Sequence, residues 1–129
     1  MTDIYKCAPE ELMKNAKLPF RVMESKEAMY DEIARIMADT IKKNGGKRTV
    51  IICPVGPVGQ YPKFAEIVNR ERISLKNAVF INMDEYLGDD GKAIDYDNVL
   101  SFHKTMDEML YSRIDKELLM PEENRMFPE

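Results

Sequence analysis

The run Thr49-Val50-Ile51-Ile52-Cys53 constrains this chain more than any other stretch. Four successive β-branched residues closed by a small thiol, with no polar alternation, suit a strand buried on both faces of a parallel sheet. A tight Pro54-Val55-Gly56-Pro57-Val58-Gly59 loop follows, and a helical pattern then starts near Pro62 with Phe64, Ala65 and Val68 on one side. The same succession recurs on either side. Pro19 to Met23 alternates as a first strand, and Ser25 caps a helix striped by Met29, Ile33, Ile36, Met37 and Ile41 that stops at Asn44-Gly45-Gly46. Ala78 to Met83 reads as a third strand ending at Asp84-Glu85-Tyr86. A Gly- and Asp-rich loop then leads to a helix capped by Asn98, with Val99, Phe102, Met106, Met109 and Leu110 on one side. Three strand-to-helix alternations with short connections predict an α/β fold, a Rossmann-like open parallel sheet with flanking helices and right-handed crossovers.

The alternation then breaks off. Pro121-Glu122-Glu123-Asn124 has turn character, and Arg125-Met126-Phe127-Pro128 reads as the start of a fourth strand. We therefore expect residues 18–129 to be a partial α/β domain, the front half of a larger one, behind an N-terminal arm at 1–17 in which Pro9 to Met13 begins a short helix. An incomplete sheet has open edges, which predicts a homo-oligomer.

Composition narrows the function classes. With 129 residues, 44% hydrophobic and 33% charged, the chain has enough apolar side chains to bury a core, which excludes intrinsic disorder. Its apolar runs fall far short of the about 20 residues that span a bilayer, so no membrane partner is expected. The N-terminus lacks the basic-then-apolar order of a secretory signal, and a cytoplasmic setting is expected. A net charge of −4 offers no basic field for a nucleic acid. Cys7, Cys53 and a single histidine make a poor ligand set, so neither a metal nor another cofactor is expected, and both cysteines are read as thiols.

Ligands of open parallel sheets bind beyond the carboxyl ends of the strands. The Pro54 to Gly59 loop and the Asp84-Glu85 pair both fall on that edge. The loop leads to a helix N-terminus, which suits an anion, although Pro57 has no N–H and Val55 and Val58 carry no hydroxyl. A plain strand-to-helix turn accounts for it equally well. Asp84 and Glu85 are adjacent on an extended chain, so one acid is expected to face the crevice while the other supports it. A general base and a solvated acidic turn are both open readings, since Asp89, Asp90, Asp95 and Asp97 continue the acidic character. His103, beside the apolar stripe of its helix, is read as a rim residue.

Taken together, Asn82-Met83-Asp84-Glu85-Tyr86-Leu87-Gly88 resembles the N-M-D-E-Y signature of the glucosamine-6-phosphate deaminase/isomerase family, whose sugar-phosphate-isomerase-like fold is shared with 6-phosphogluconolactonases. Pro54-x-Gly56 resembles the start of that family's P-T-G-x-T-P phosphate loop, Ser101-Phe102 its Ser-Phe pair, and Pro121-Glu122-Glu123-Asn124 its P-x-E-N turn. The resemblance runs from about Leu18 to Pro128 and covers the front half of a family member. It implies conversion of glucosamine 6-phosphate to fructose 6-phosphate and ammonia, with a small sugar phosphate as partner. Asp84 would be the carboxylate that moves a proton between C2 and C1, with Glu85 beside it. Gly56, Val58, Gly59, Gln60 and Tyr86 would line the substrate. The family's ring-opening histidine and later basic phosphate ligands belong to a downstream segment outside the resemblance, so these 129 residues alone are expected to be incomplete and inactive. Two alternatives stand beside this reading: a receiver-like signalling domain, which needs an acidic pair after the first strand, and a non-catalytic sugar-phosphate-binding fragment.

Overall fold

The computed structural model describes residues 6–128. In chain order it contains α1 (Pro9–Asn15), α2 (Lys26–Lys43), β1 (Thr49–Cys53), α3 (Gln60–Glu71), β2 (Ala78–Asn82), α4 (Phe102–Met109) and β3 (Arg125–Met126). Single turns of 3₁₀ helix lie at Tyr111–Arg113 and Glu122–Asn124. The three strands form one parallel sheet in the order β1-β2-β3. This is the expected α/β class. Of the expected arm, residues 1–5 lie outside the described residues, and α1 starts at a proline whose missing N–H costs nothing in a first turn.

Local chemistry sets most boundaries. Ser25 Oγ accepts the Ala28 N–H at 3.0 Å and opens α2. Gly45 and Gly46, at φ 58° and 80°, turn the chain back where a side chain would be strained. α2 and α3 pack on one another and on the sheet face that carries Cys53 and Phe80. Phe64 and Phe80 are wholly buried, their rings 6.0 Å apart, and Leu75, Met106 and Leu110 close the same core. Glu71 fastens the helix pair. Its two oxygens take the Arg35 guanidinium at 2.7 Å and the Lys42 ammonium at 2.8 Å.

Four expectations are corrected. Among the described residues Pro19–Met23 pairs with no strand, and it is exposed at Phe20 and Val22. Alternation is not enough without a neighbouring strand to complete its hydrogen bonds. β1 is buried on one face, because it is the edge strand and no helix among the described residues covers the face of Val50 and Ile52, which are 49% and 63% exposed. Ile36 is on the solvent side of α2, whose buried stripe is Ala34, Met37, Ala38 and Ile41. The α4 cap is Ser101 rather than Asn98: Ser101 Oγ accepts the Lys104 N–H, while Asn98 Oδ1 accepts that of Leu100 and leaves Val99 in solvent.

The Glu71 clasp carries a pH prediction. Hydrogen bonding to the Lys42 ammonium, and then to Arg35, holds its carboxyl down to about 2, against the usual 4.5. A carboxyl lowered in the folded state contributes fully above its unfolded pKa, and that contribution is lost as pH falls from about 4.5 towards about 2. The urea midpoint of Glu71→Gln should lie below that of the parent at pH 6, and the gap should close near pH 2. A gap independent of pH would contradict the clasp.

Candidate active site at the carboxyl edge of the sheet

β1 and β2 end in step. Cys53 is in register with Asn82, and the Met83 N–H donates to the Cys53 carbonyl at 3.0 Å, so the chain leaves both strands at one edge. That bond brings Asp84 and the Pro54–Gly59 loop to the same side of the sheet, as expected. Asn82 is itself buried, and its Nδ2 donates to the Met126 carbonyl at 2.9 Å, tying the end of β2 to β3.

The loop is braced from inside by α3. The Tyr61 hydroxyl donates to the Pro54 carbonyl, and Gln60 Nε2 donates to the Pro57 carbonyl at 2.7 Å. Both side chains are buried, so Gln60 supports the loop from beneath. Val55 is buried and Val58 packs against the core, which gives these two positions an apolar structural task. Gly56 and Pro57 are the exposed crest, and their peptide bond is cis. A Cβ on Gly59 would sit 2.1 Å from the Tyr30 ring, so a side chain there would have to displace that ring where α2 meets the loop.

The two acids have different surroundings. Asp84 is exposed. Glu85 is half-buried and its carboxylate closes the N-terminus of α4: Oε1 accepts from Phe102 N (3.0 Å) and Tyr86 N (2.9 Å), and Oε2 from His103 N (2.9 Å) and the Ser101 hydroxyl (3.4 Å). Burial alone would raise its pKa, but the N–H groups of Phe102, His103 and Tyr86, with Ser101, outweigh burial and hold it below the usual carboxylate range. Of the pair, then, Glu85 is engaged with backbone and Asp84 faces solvent. Tyr86 is 47% exposed and rests its ring on Phe102, 4.9 Å between centroids.

Other reactive groups are tied up. Burial pushes the Cys53 thiol up to about 12, against the opposing hydrogen bond of Tyr61, so it is no nucleophile. Burial likewise raises Tyr61 and Tyr111 well above the usual phenol range. His103 stacks on Phe127 at 3.7 Å and meets Tyr96 edge-on at 5.1 Å, an aromatic packing role at the rim. Among the described residues no group of three His, Cys, Asp or Glu side chains is placed to hold a metal ion. No helix among them is long and apolar enough to cross a membrane.

Ser101 and Asn82 were not singled out from the sequence as site residues. A serine just before a helical apolar stripe is a cap signal, which was available for Ser101. The tie from Asn82 to β3 spans 44 residues and has no local signal.

No family model matches the chain. It is 29% identical over 94 residues to a glucosamine-6-phosphate deaminase of Mycoplasma mycoides, covering 73% of this chain and 36% of the relative. It is 34% identical over 99 residues to a glucosamine-6-phosphate isomerase of Candida albicans, again covering 73% and 36%. A solved monomeric glucosamine-6-phosphate deaminase of the NagB superfamily superposes with a TM-score of 0.69 at 27% identity, over 83% of this chain and 41% of that one. The chain thus spans a little over a third of the length of the curated relatives it matches. The receiver-like alternative loses its footing, because the segment 19–23, after which its acidic pair would stand, forms no strand among the described residues. In fold and in aligned sequence, the chain is a relative of the glucosamine-6-phosphate deaminase/isomerase family over the part of those proteins that it spans.

Proposed function

We propose that this chain carries the proton-transfer half of an amino-sugar-phosphate isomerase/deaminase site, which converts glucosamine 6-phosphate and water to fructose 6-phosphate and ammonia. The observation that supports it best is the meeting of the Asn82–Gly88 signature with the Pro54–Gly59 loop at one sheet edge, in a chain similar to named deaminases. In this reading Asp84 takes the proton from C2 of the open-chain aldose and returns it to C1. The electron pair left at C2 forms the C1=C2 bond of an enolamine as O1 takes a proton, protonation at C1 then leaves an iminium at C2, and water adds there before the nitrogen leaves as ammonia. Such a base needs access to substrate and freedom from structural bonds, and Asp84, exposed, meets the first need. The crest at Gly56, with Val58, Gly59 and Gln60 behind it, would receive the phosphate end, and Tyr86 would flank the sugar. A cytoplasmic setting belongs to the same reading. Self-association is not required by it, since the solved neighbour is described as monomeric.

Titration of the ¹⁵N-labelled protein with glucosamine 6-phosphate tests this. Amide shifts are expected at Gly56, Gly59 and Asp84 to Tyr86, with ammonia measured in the same sample. Shifts without ammonia are expected of the proton-transfer half alone, and ammonia release by a longer polypeptide separates this reading from the binding-only alternative, for which the valine-containing loop speaks. No shifts at millimolar ligand, or shifts confined to α1 and α2, would overturn both.

A further inference from the structure

The fifteen-residue excursion between Glu85 and Ser101 leaves the sheet edge and returns to it, and one side chain joins its two ends. Glu85 accepts the Tyr86 N–H where the excursion departs, and Ser101 Oγ, Phe102 N and His103 N where it returns. The excursion is closed on itself higher up: the Ile94 N–H donates to Tyr86 O at 2.9 Å, the Gly88 N–H donates to Lys92 O at 2.8 Å, and Leu87 bridges Ala93. It is an Ω-type loop with a carboxylate at its neck. Tyr86 and Phe102, the residues adjoining the neck on either side, are also the pair whose rings touch.

This arrangement bears on Asp84, the residue immediately before the neck. On its N-terminal side the Met83 N–H is fixed to Cys53, and on its C-terminal side the backbone is held by the Glu85 carboxylate at Tyr86 N and, within the loop, by the Ile94 N–H at Tyr86 O. We propose that Glu85 is a positioning residue: its carboxylate closes the neck of the 86–100 loop and thereby sets the backbone that presents Asp84. This rests on the reading of Asp84 as the proton carrier. The chemistry of the bond set calls for a carboxylate. Each oxygen accepts two donors, and four donors converge on the group. An amide at this place has one acceptor oxygen and turns its NH₂ towards N–H groups. An anion also complements the partial positive charge of the helix N-terminus, where an amide is neutral. The sequence offers no other acid in the first turn of α4 to take over.

The test is spectroscopic and needs no turnover. In ¹³C,¹⁵N-labelled protein the Asp84 carboxyl ¹³C resonance is followed through pH, and hydrogen exchange is read at Tyr86, Phe102 and His103. Glu85→Gln is expected to speed exchange at Phe102 and His103 by about tenfold or more, as lost charge-assisted bonds require. It is also expected to move or broaden the Asp84 carboxyl resonance. If exchange rises while the Asp84 carboxyl resonance stays as in the parent, Glu85 is a helix cap only and the proposal falls. Unchanged exchange overturns it as well. Should Glu85→Gln lose its dispersed spectrum, Glu85→Asp decides, because it keeps the charge and withdraws it by one methylene. A perturbed Asp84 signal is again the expected result and an unperturbed one the contrary. Failure of the catalytic reading shows elsewhere, as undiminished ammonia release in Asp84→Asn, and leaves this result untouched.

Discussion

In a longer polypeptide that joins this segment to the ring-opening histidine and basic phosphate ligands, ammonia release from glucosamine 6-phosphate is expected to fall by about 10²–10⁴ when Asp84 is replaced by asparagine, the usual contribution of a positioned general base. The substitution is clean. Asp84 is exposed, and asparagine keeps its shape while removing its basicity, so folding stability should change by no more than about 0.5 kcal/mol. A matched thermal midpoint with lost release assigns the loss to chemistry. Release at the parental rate would take Asp84 out of the reaction, and lost release accompanied by unfolding would place it among the structural residues. Glu85 should not compensate, because its oxygens are committed to the Phe102, His103, Tyr86 and Ser101 donors.

Replacing Phe80 by alanine should cost about 3–5 kcal/mol of unfolding free energy. Phe80 is wholly buried at the centre of the middle strand, in register with Ile51 on one side and Arg125 on the other. Its ring lies 6.0 Å from that of Phe64, so truncation removes an aromatic contact and opens a cavity between sheet and α3. The neighbours have little room to collapse, since backbone ladders hold both sides of the residue. Against a total stability of roughly 5–15 kcal/mol, the loss takes a large share of the whole. A urea unfolding curve should show the midpoint lower by roughly 2 M or more, or a chain already unfolded in buffer. A loss under about 1 kcal/mol would mean that Phe80 is not the centre of the core.

Much of this architecture follows from short-range chemistry. The β-branched run at 49–53, the serine ahead of α2, the paired glycines after it and the apolar stripe of α3 each act within a few residues, so they declare themselves in the chain. The signature at 82–88 did so too, because its residue types are unusual together. Other features depend on partners far away in sequence. The segment 19–23 has a strand's pattern but no strand to pair with, and Val50 and Ile52 have a buried strand's composition but occupy an edge with one face open. Likewise, the division of labour between Asp84 and Glu85 cannot be read from two adjacent carboxylates. It arises because α4, arriving 16 to 18 residues later, points its unsatisfied N–H groups at one of them and leaves the other to solvent. Burial and charge partnership are properties of the assembled surface, and a side chain acquires them only when the distant element that supplies them has docked.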